Sequence, residues 1–112
     1  MSDGVPPGHV DVHAHVVLED TLGAAGSLGP FLEETGDGRP QYRIGDYCLE
    51  GVDYRGTAFM DAEVRLARMD EAGIGHQALS PNPLTWFHHA APAIARDWCR
   101  AHNDALAAHI AP

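Results

Sequence analysis

The sequence predicts an α/β fold in which parallel strands alternate with covering helices. Three observations carry that expectation. A stretch rich in β-branched residues follows the turn formers Pro6, Pro7 and Gly8: His9-Val10-Asp11-Val12-His13-Ala14-His15-Val16-Val17. A second short apolar stretch, Ile74–Ser80, is stopped by Pro81-Asn82-Pro83. Two segments of helical periodicity open near Asp61 and Pro92, one between these stretches and one after them. Strand, excursion, helix, strand, loop, helix is a βαβα order, which joins parallel strands by right-handed crossovers.

The first strand is expected at about residues 8–14, after a lead-in of residues 1–7 rich in Gly and Pro. Strand side chains alternate faces. Asp11, His13 and His15 are therefore expected on one face, and Val10, Val12 and Ala14 on the other. Two imidazoles at i and i+2 on one face can reach one divalent cation, each through a ring nitrogen at about 2.0–2.1 Å in the zinc case. The flanking valines argue that the strand is buried, and two buried imidazoles side by side need a partner.

An excursion rich in glycine follows, from about residue 16 to 58. Residues 28–34 carry the pattern of one or two helical turns. Gln41–Ile44 and Tyr47–Glu50 flank Gly45-Asp46, which suits a type II′ hairpin turn. A short further strand is expected near Val52–Tyr54. Asp61 reads as the N-cap of the first helix, with Val64, Ala67, Leu66 and Met69 as its apolar stripe and Gly73 just past its end. Glu63, Arg65, Arg68, Asp70 and Glu71 form the expected solvated face. His76, early in the second strand, reads as structural. Residues 84–91 form a loop, in which Asn82 just before it, Trp86, His88 and His89 are candidate pocket residues, and Trp86 and Phe87 serve equally as core or interface. The second helix runs from Pro92, a favoured first-turn proline, to about Ile110. Ile94, Trp98, Ala101, Ala105 and Leu106 give its apolar stripe, with His102 and His109 expected at its surface.

Composition narrows the function. The chain has 112 residues and a net charge of −9, with no Lys/Arg cluster, which argues against nucleic acid or an anionic membrane as partner. The two cysteines, Cys48 and Cys99, are too few for a disulfide framework and fit a reduced, cytoplasmic setting. No apolar run approaches the roughly 20 residues of a membrane span, and the N-terminus lacks the regions of a signal peptide.

Two strands alone do not make a stable parallel sheet covered on both faces, so the segment reads as the opening third of a larger α/β protein. Asp11-x-His13-x-His15 at the end of a first strand resembles the opening metal motif of the amidohydrolase superfamily. The nearer likeness is to the branch of aminocarboxymuconate-semialdehyde decarboxylase. Met69-Asp70-x-x-Gly73-Ile74, Gln77-Ala-Leu-Ser80-Pro81 and Asn103-Asp104-x-Leu106 carry the likeness along nearly the whole chain.

The resemblance implies the N-terminal part of a metal-dependent (β/α)8 barrel with a small β-hairpin excursion after strand one. On that reading residues 1–112 are one N-terminal domain segment, truncated before barrel closure. His13 and His15 would hold a divalent metal, zinc being expected, which polarises water or a substrate oxygen. Arg43, in the hairpin, would grip a substrate carboxylate with two parallel hydrogen bonds. The implied reaction is loss of CO2 from a small unsaturated or aromatic carboxylic acid. The family's remaining ligands and its catalytic histidine have no counterpart here, so no catalytic residue is assigned in this chain. Hydrolysis of an amide, lactone or ester on the same scaffold is the first alternative. A non-catalytic metal-binding or interaction module is the second. The family often forms dimers, which makes a homodimer the expected assembly.

Overall fold

A computed structural model describes residues 9–111, so the expected lead-in lies outside the described residues. In chain order the elements are strands β1 (Val10–Val16), β2 (Phe31–Glu34), β3 (Pro40–Ile44) and β4 (Tyr47–Glu50), helix α1 (Ala62–Ala72), strand β5 (His76–Pro81) and helix α2 (Pro92–Ile110). Single 3-10 turns occur at Glu19–Thr21, Gly26–Leu28 and Pro83–Thr85.

β1 and β5 pair in parallel, as the βαβα order requires, with α1 as part of the crossover. They form a sheet of two strands only, and β2-β3-β4 form a separate antiparallel sheet. The expected (β/α)8 barrel architecture is thereby corrected: among the described residues there are two small sheets and two α-helices, and no barrel closes. The physical reason lies in where the apolar side chains meet. A pair of parallel strands encloses no interior, and the buried cluster instead joins Tyr42 and Ile44 of β3 with Val17, Ala25, Phe87 and Trp98 of α2. The excursion, expected as a small hairpin element after strand one, contributes Val17, Ala25, Tyr42 and Ile44 to the core.

The hairpin forms where Gly45-Asp46 predicts it. Gly45 takes φ +57° at the first central position, as a type II′ turn demands, and Gly45 N–H donates to the Leu28 carbonyl at 2.9 Å. The expected helical turns over residues 28–34 are not formed beyond Leu28, because Phe31–Glu34 is a third strand instead. Cross-strand partners override the local pattern. Glu33 accepts hydrogen bonds from Gln41 at 2.7 Å and Arg43 at 2.6 Å, and the Arg43 guanidinium lies 4.6 Å from the centre of the Phe31 ring. Residues 52–54 form no strand, though Val52 and Tyr54 pack against the core.

Gly29 shows how tightly the excursion closes. It has φ +88°, and a Cβ there would sit 3.0 Å from Phe31 N and 3.1 Å from the Arg43 carbonyl oxygen. Gly29→Ala is therefore expected to lower stability by more than about 1 kcal/mol. Gly36→Ala, where the Cβ meets nothing within 4 Å, is the matched control in thermal unfolding.

α1 begins and ends as the sequence predicts. Asp61 accepts from Glu63 N and Val64 N, and Gly73 closes the helix in the left-handed conformation. Its faces are rotated from expectation. Arg65, assigned to solvent, is only 9% exposed, whereas Leu66, assigned to the stripe, is 58% exposed. Arg65 turns inward because acceptors wait there, described below.

α2 buries Trp98, and also His102, which was expected at the surface. His102 packs beside the Trp98 ring, and its Nε2 finds no partner among the described residues. Burial pulls its pKa below the ordinary imidazole value. Near neutrality both folded and unfolded chains hold this ring neutral. As pH falls through the ordinary imidazole range, only the unfolded chain takes up the proton, so stability drops until the lower native pKa is reached. A chain with His102→Leu should lose less of its melting temperature than the wild type between about pH 7 and pH 5. Equal losses would show that this ring is not the source.

Candidate metal centre

The sequence places His13 and His15 two residues apart, but the strand leading into them, between Asp11 and Ala14, is not regular. Val10 registers with His76 and Asp11 with Gln77, after which Ala14 registers with Leu79 and His15 with Ser80. β1 thus holds one more residue than β5 in this interval, a β-bulge at Val12 and His13. The bulge breaks the expected alternation. Asp11 shares the face of Gln77 and Leu79, the face toward α1, and does not join the histidines. His13 and His15 turn to the opposite face, which carries exposed His76 and Ala78. Val12 at the bulge is 80% exposed, so the expectation of a buried valine-rich strand fails in its first half. Only Ala14 and Val16 are buried.

The two imidazoles converge. Their Nε2 atoms are 3.1 Å apart, with the rings edge to face. Two nitrogen ligands of one tetrahedral zinc at about 2.0–2.1 Å lie about 3.3 Å apart, so the pair already has nearly the spacing of two ligands of a single ion. The hydrogen bonds behind them accommodate one arrangement of protons. Ser80 Oγ donates its one proton to the Ala14 carbonyl at 3.3 Å. It can then accept from His15 Nδ1 at 3.0 Å, in the tautomer that leaves the lone pair of His15 on Nε2. In that tautomer His13 Nε2 is the donor to the His15 lone pair. A cation between the rings would replace that proton, and Ser80 would serve as the outer partner that orients a ligating histidine.

Two histidines are half of a tetrahedral site. Among the described residues no group of three or more His, Cys, Asp or Glu side chains is placed to hold a metal. The residues present fit a divalent cation as two of its ligands.

The strand segment is gripped from the α1 side. His13 N–H donates to Asp11 Oδ1 at 3.0 Å, and Gln77 Nε2 donates to Asp11 Oδ2 at 2.9 Å. Both hydrogen bonds hold the Asp11 carboxyl below the usual carboxylate range. Arg65 Nη1 donates to Gln77 Oε1 at 2.8 Å, and Nη2 donates to the His15 carbonyl at 2.6 Å. Burial pulls the Arg65 guanidinium below the usual arginine value, and the Asp11 charge opposes that pull. Sequence reading missed Arg65 and Gln77. The only signal was a basic residue one turn into a helix beside a polar residue in a strand.

Arg43 lies elsewhere. Its guanidinium pairs with Glu33, donates to the Gly45 carbonyl at 3.0 Å and covers Phe31. Among the described residues no hydrogen bond or ion pair joins it to His13 or His15. Asn82 is buried and caps the turn at Pro83–Thr85, accepting from Leu84 N at 3.0 Å. Phe87 is core, packed on Trp98 with ring centres 5.1 Å apart. Trp86, His88 and His89 are exposed, and none of them contacts the imidazole pair through a hydrogen bond among the described residues. A cavity of about 320 Å³ opens on the α1 side of β5, lined by Leu66, Met69, Leu79 and Ile110, across the sheet from the imidazole pair. No helix is long and apolar enough to cross a membrane among the described residues. Comparison with protein-family models and with curated proteins finds no match.

Proposed function

We propose that His13 and His15 are two ligands of a divalent cation, zinc being expected, in an amidohydrolase-type decarboxylase acting on a small unsaturated or aromatic carboxylic acid. The single observation that carries this reading is the 3.1 Å approach of two Nε2 atoms, one of them already aimed by Ser80. When bound, the cation supplies a Lewis-acidic centre that stabilises developing negative charge on oxygen. His15 offers its Nε2 lone pair without rearrangement. His13 must move its remaining proton to Nδ1, which the exposed position of its ring allows through solvent. The net charge of −9 favours the approach of a metal cation to the neutral imidazoles and leaves anionic substrates dependent on a local positive group. Arg43 is that group in this reading. Its fork is now held by Glu33, so a substrate carboxylate would replace the Glu33 carboxylate. Both cysteines are unpaired thiols, in keeping with a cytoplasmic setting.

Calorimetric titration with Zn²⁺, followed by an assay for CO2 release from small unsaturated and aromatic acids, tests the reading. Cation binding with CO2 release is expected. Arg43→Ala should then raise KM for the acid with little change in kcat, and an unchanged KM would return Arg43 to a role within its sheet. Cation binding with hydrolysis of amides, lactones or esters would move the assignment to hydrolysis. A second reading, a non-catalytic cation-binding module, draws on the absence of a third protein ligand among the described residues. Cation binding without turnover of either substrate class would favour it.

A further inference from the structure

We infer that Arg65, Gln77 and Asp11 form a positioning clamp that grips the backbone of both histidines from the far side of the sheet and sets the approach of their rings. This rests on the cation-site reading and adds to it the residues that shape the site. The clamp is a continuous chain of hydrogen bonds. At one end Arg65 Nη2 donates to the carbonyl oxygen of His15 at 2.6 Å. At the other end Asp11 Oδ1 accepts from the backbone N–H of His13 at 3.0 Å. Gln77 joins the two, accepting from Arg65 at 2.8 Å through Oε1 and donating to Asp11 at 2.9 Å through Nε2. One amide orientation alone satisfies both neighbours, so the chain has a fixed polarity from cation to anion.

The position of the grips is what separates this from ordinary packing. A bulge re-aims the side chains of its strand. Here the Asp11 carboxylate holds the N–H at the bulge itself, and the guanidinium holds the carbonyl two residues on. The two residues held are the two whose Nε2 atoms meet. A regular strand would carry Asp11 to the histidine face and remove the acceptor from Gln77. Nothing in the ring contacts alone requires an arginine at 9% exposure with Nε buried and unpartnered. A buried guanidinium is retained at a cost, and the contacts it makes are to the ligand segment.

The test uses the 112-residue chain with Gln77→Leu, which cuts the clamp at its middle, and Asp11→Ala, which removes its half-buried anchor at the bulge. Co²⁺ affinity is one readout. Long-range ¹⁵N–¹H spectra of the metal-free imidazoles are the other. Each variant should weaken Co²⁺ about 10- to 100-fold, in line with losses of outer-shell partners. The double variant should lose scarcely more than either single one, since both cut the same chain. The His15 spectrum should change from a single Nδ1–H form to an averaged mixture. Wild-type affinity in both variants would overturn the clamp and leave the cation site standing. Should the wild type bind no Co²⁺, the cation reading fails, and the spectra decide the clamp: averaging in the variants supports it, and an unchanged Nδ1–H form refutes it.

Discussion

Trp98→Ala should remove most of the chain's stability, lowering the urea midpoint steeply. Trp98 is 3% exposed, meets Phe87 edge to face at 5.1 Å, and closes the cluster built on Tyr42 and Ile44. Truncating a buried tryptophan costs about 3–5 kcal/mol, against a whole-domain stability of about 5–15 kcal/mol, with small domains near the lower end. Leu66→Ala on α1 should change stability by less than about 0.5 kcal/mol, because Leu66 is largely exposed. The pair is diagnostic of where the core lies. A core between the parallel strands and α1, as a barrel would have, predicts the reverse order of losses. Urea unfolding followed by tryptophan-independent circular dichroism measures both.

His13→Ala and His15→Ala should each remove cation binding, with affinity falling at least about 100-fold. With two protein ligands, the loss of either leaves a single imidazole, which holds zinc weakly beside the three ligands usual at catalytic sites. Ser80→Ala should cost less, about tenfold, because it frees the His15 ring without removing a donor. Acid should release the cation as well, since an imidazole that takes a second proton has no lone pair to give. Retention of the metal at about pH 4 would count against histidine ligands.

What was legible in the sequence was local. Asp61 and Gly73 bound α1 through hydrogen bonds within a few residues of each, and Gly45-Asp46 turns the hairpin by its own backbone freedom. Parallel pairing of β1 with β5 followed from the order of elements. The errors arose where distant partners decide. The bulge goes with a contact between Asp11 and Gln77, 66 residues apart, and no alternation rule applied to β1 alone contains it. Arg65 was placed in water by its charge, yet its partners come from β1 and β5. Phe31–Glu34 became a strand because β3 offered a register and a set of cross-strand partners. The barrel expectation came from a likeness of motifs, and motifs at strand ends do not specify how many strands gather. The convergence of His13 and His15 was expected from their spacing. Ser80, 65 residues from His15, was not.

Imidazole ¹⁵N spectra recorded during a Zn²⁺ titration test the central assignment most directly, because each of the eight histidines reports separately. The Nε2 resonances of His13 and His15 should shift together and be complete at one equivalent, with His76, His88, His89 and His102 unmoved. Resonances of His13 and His15 that stay in place, or that move only after those of exposed His88 and His89, would contradict a cation site on β1.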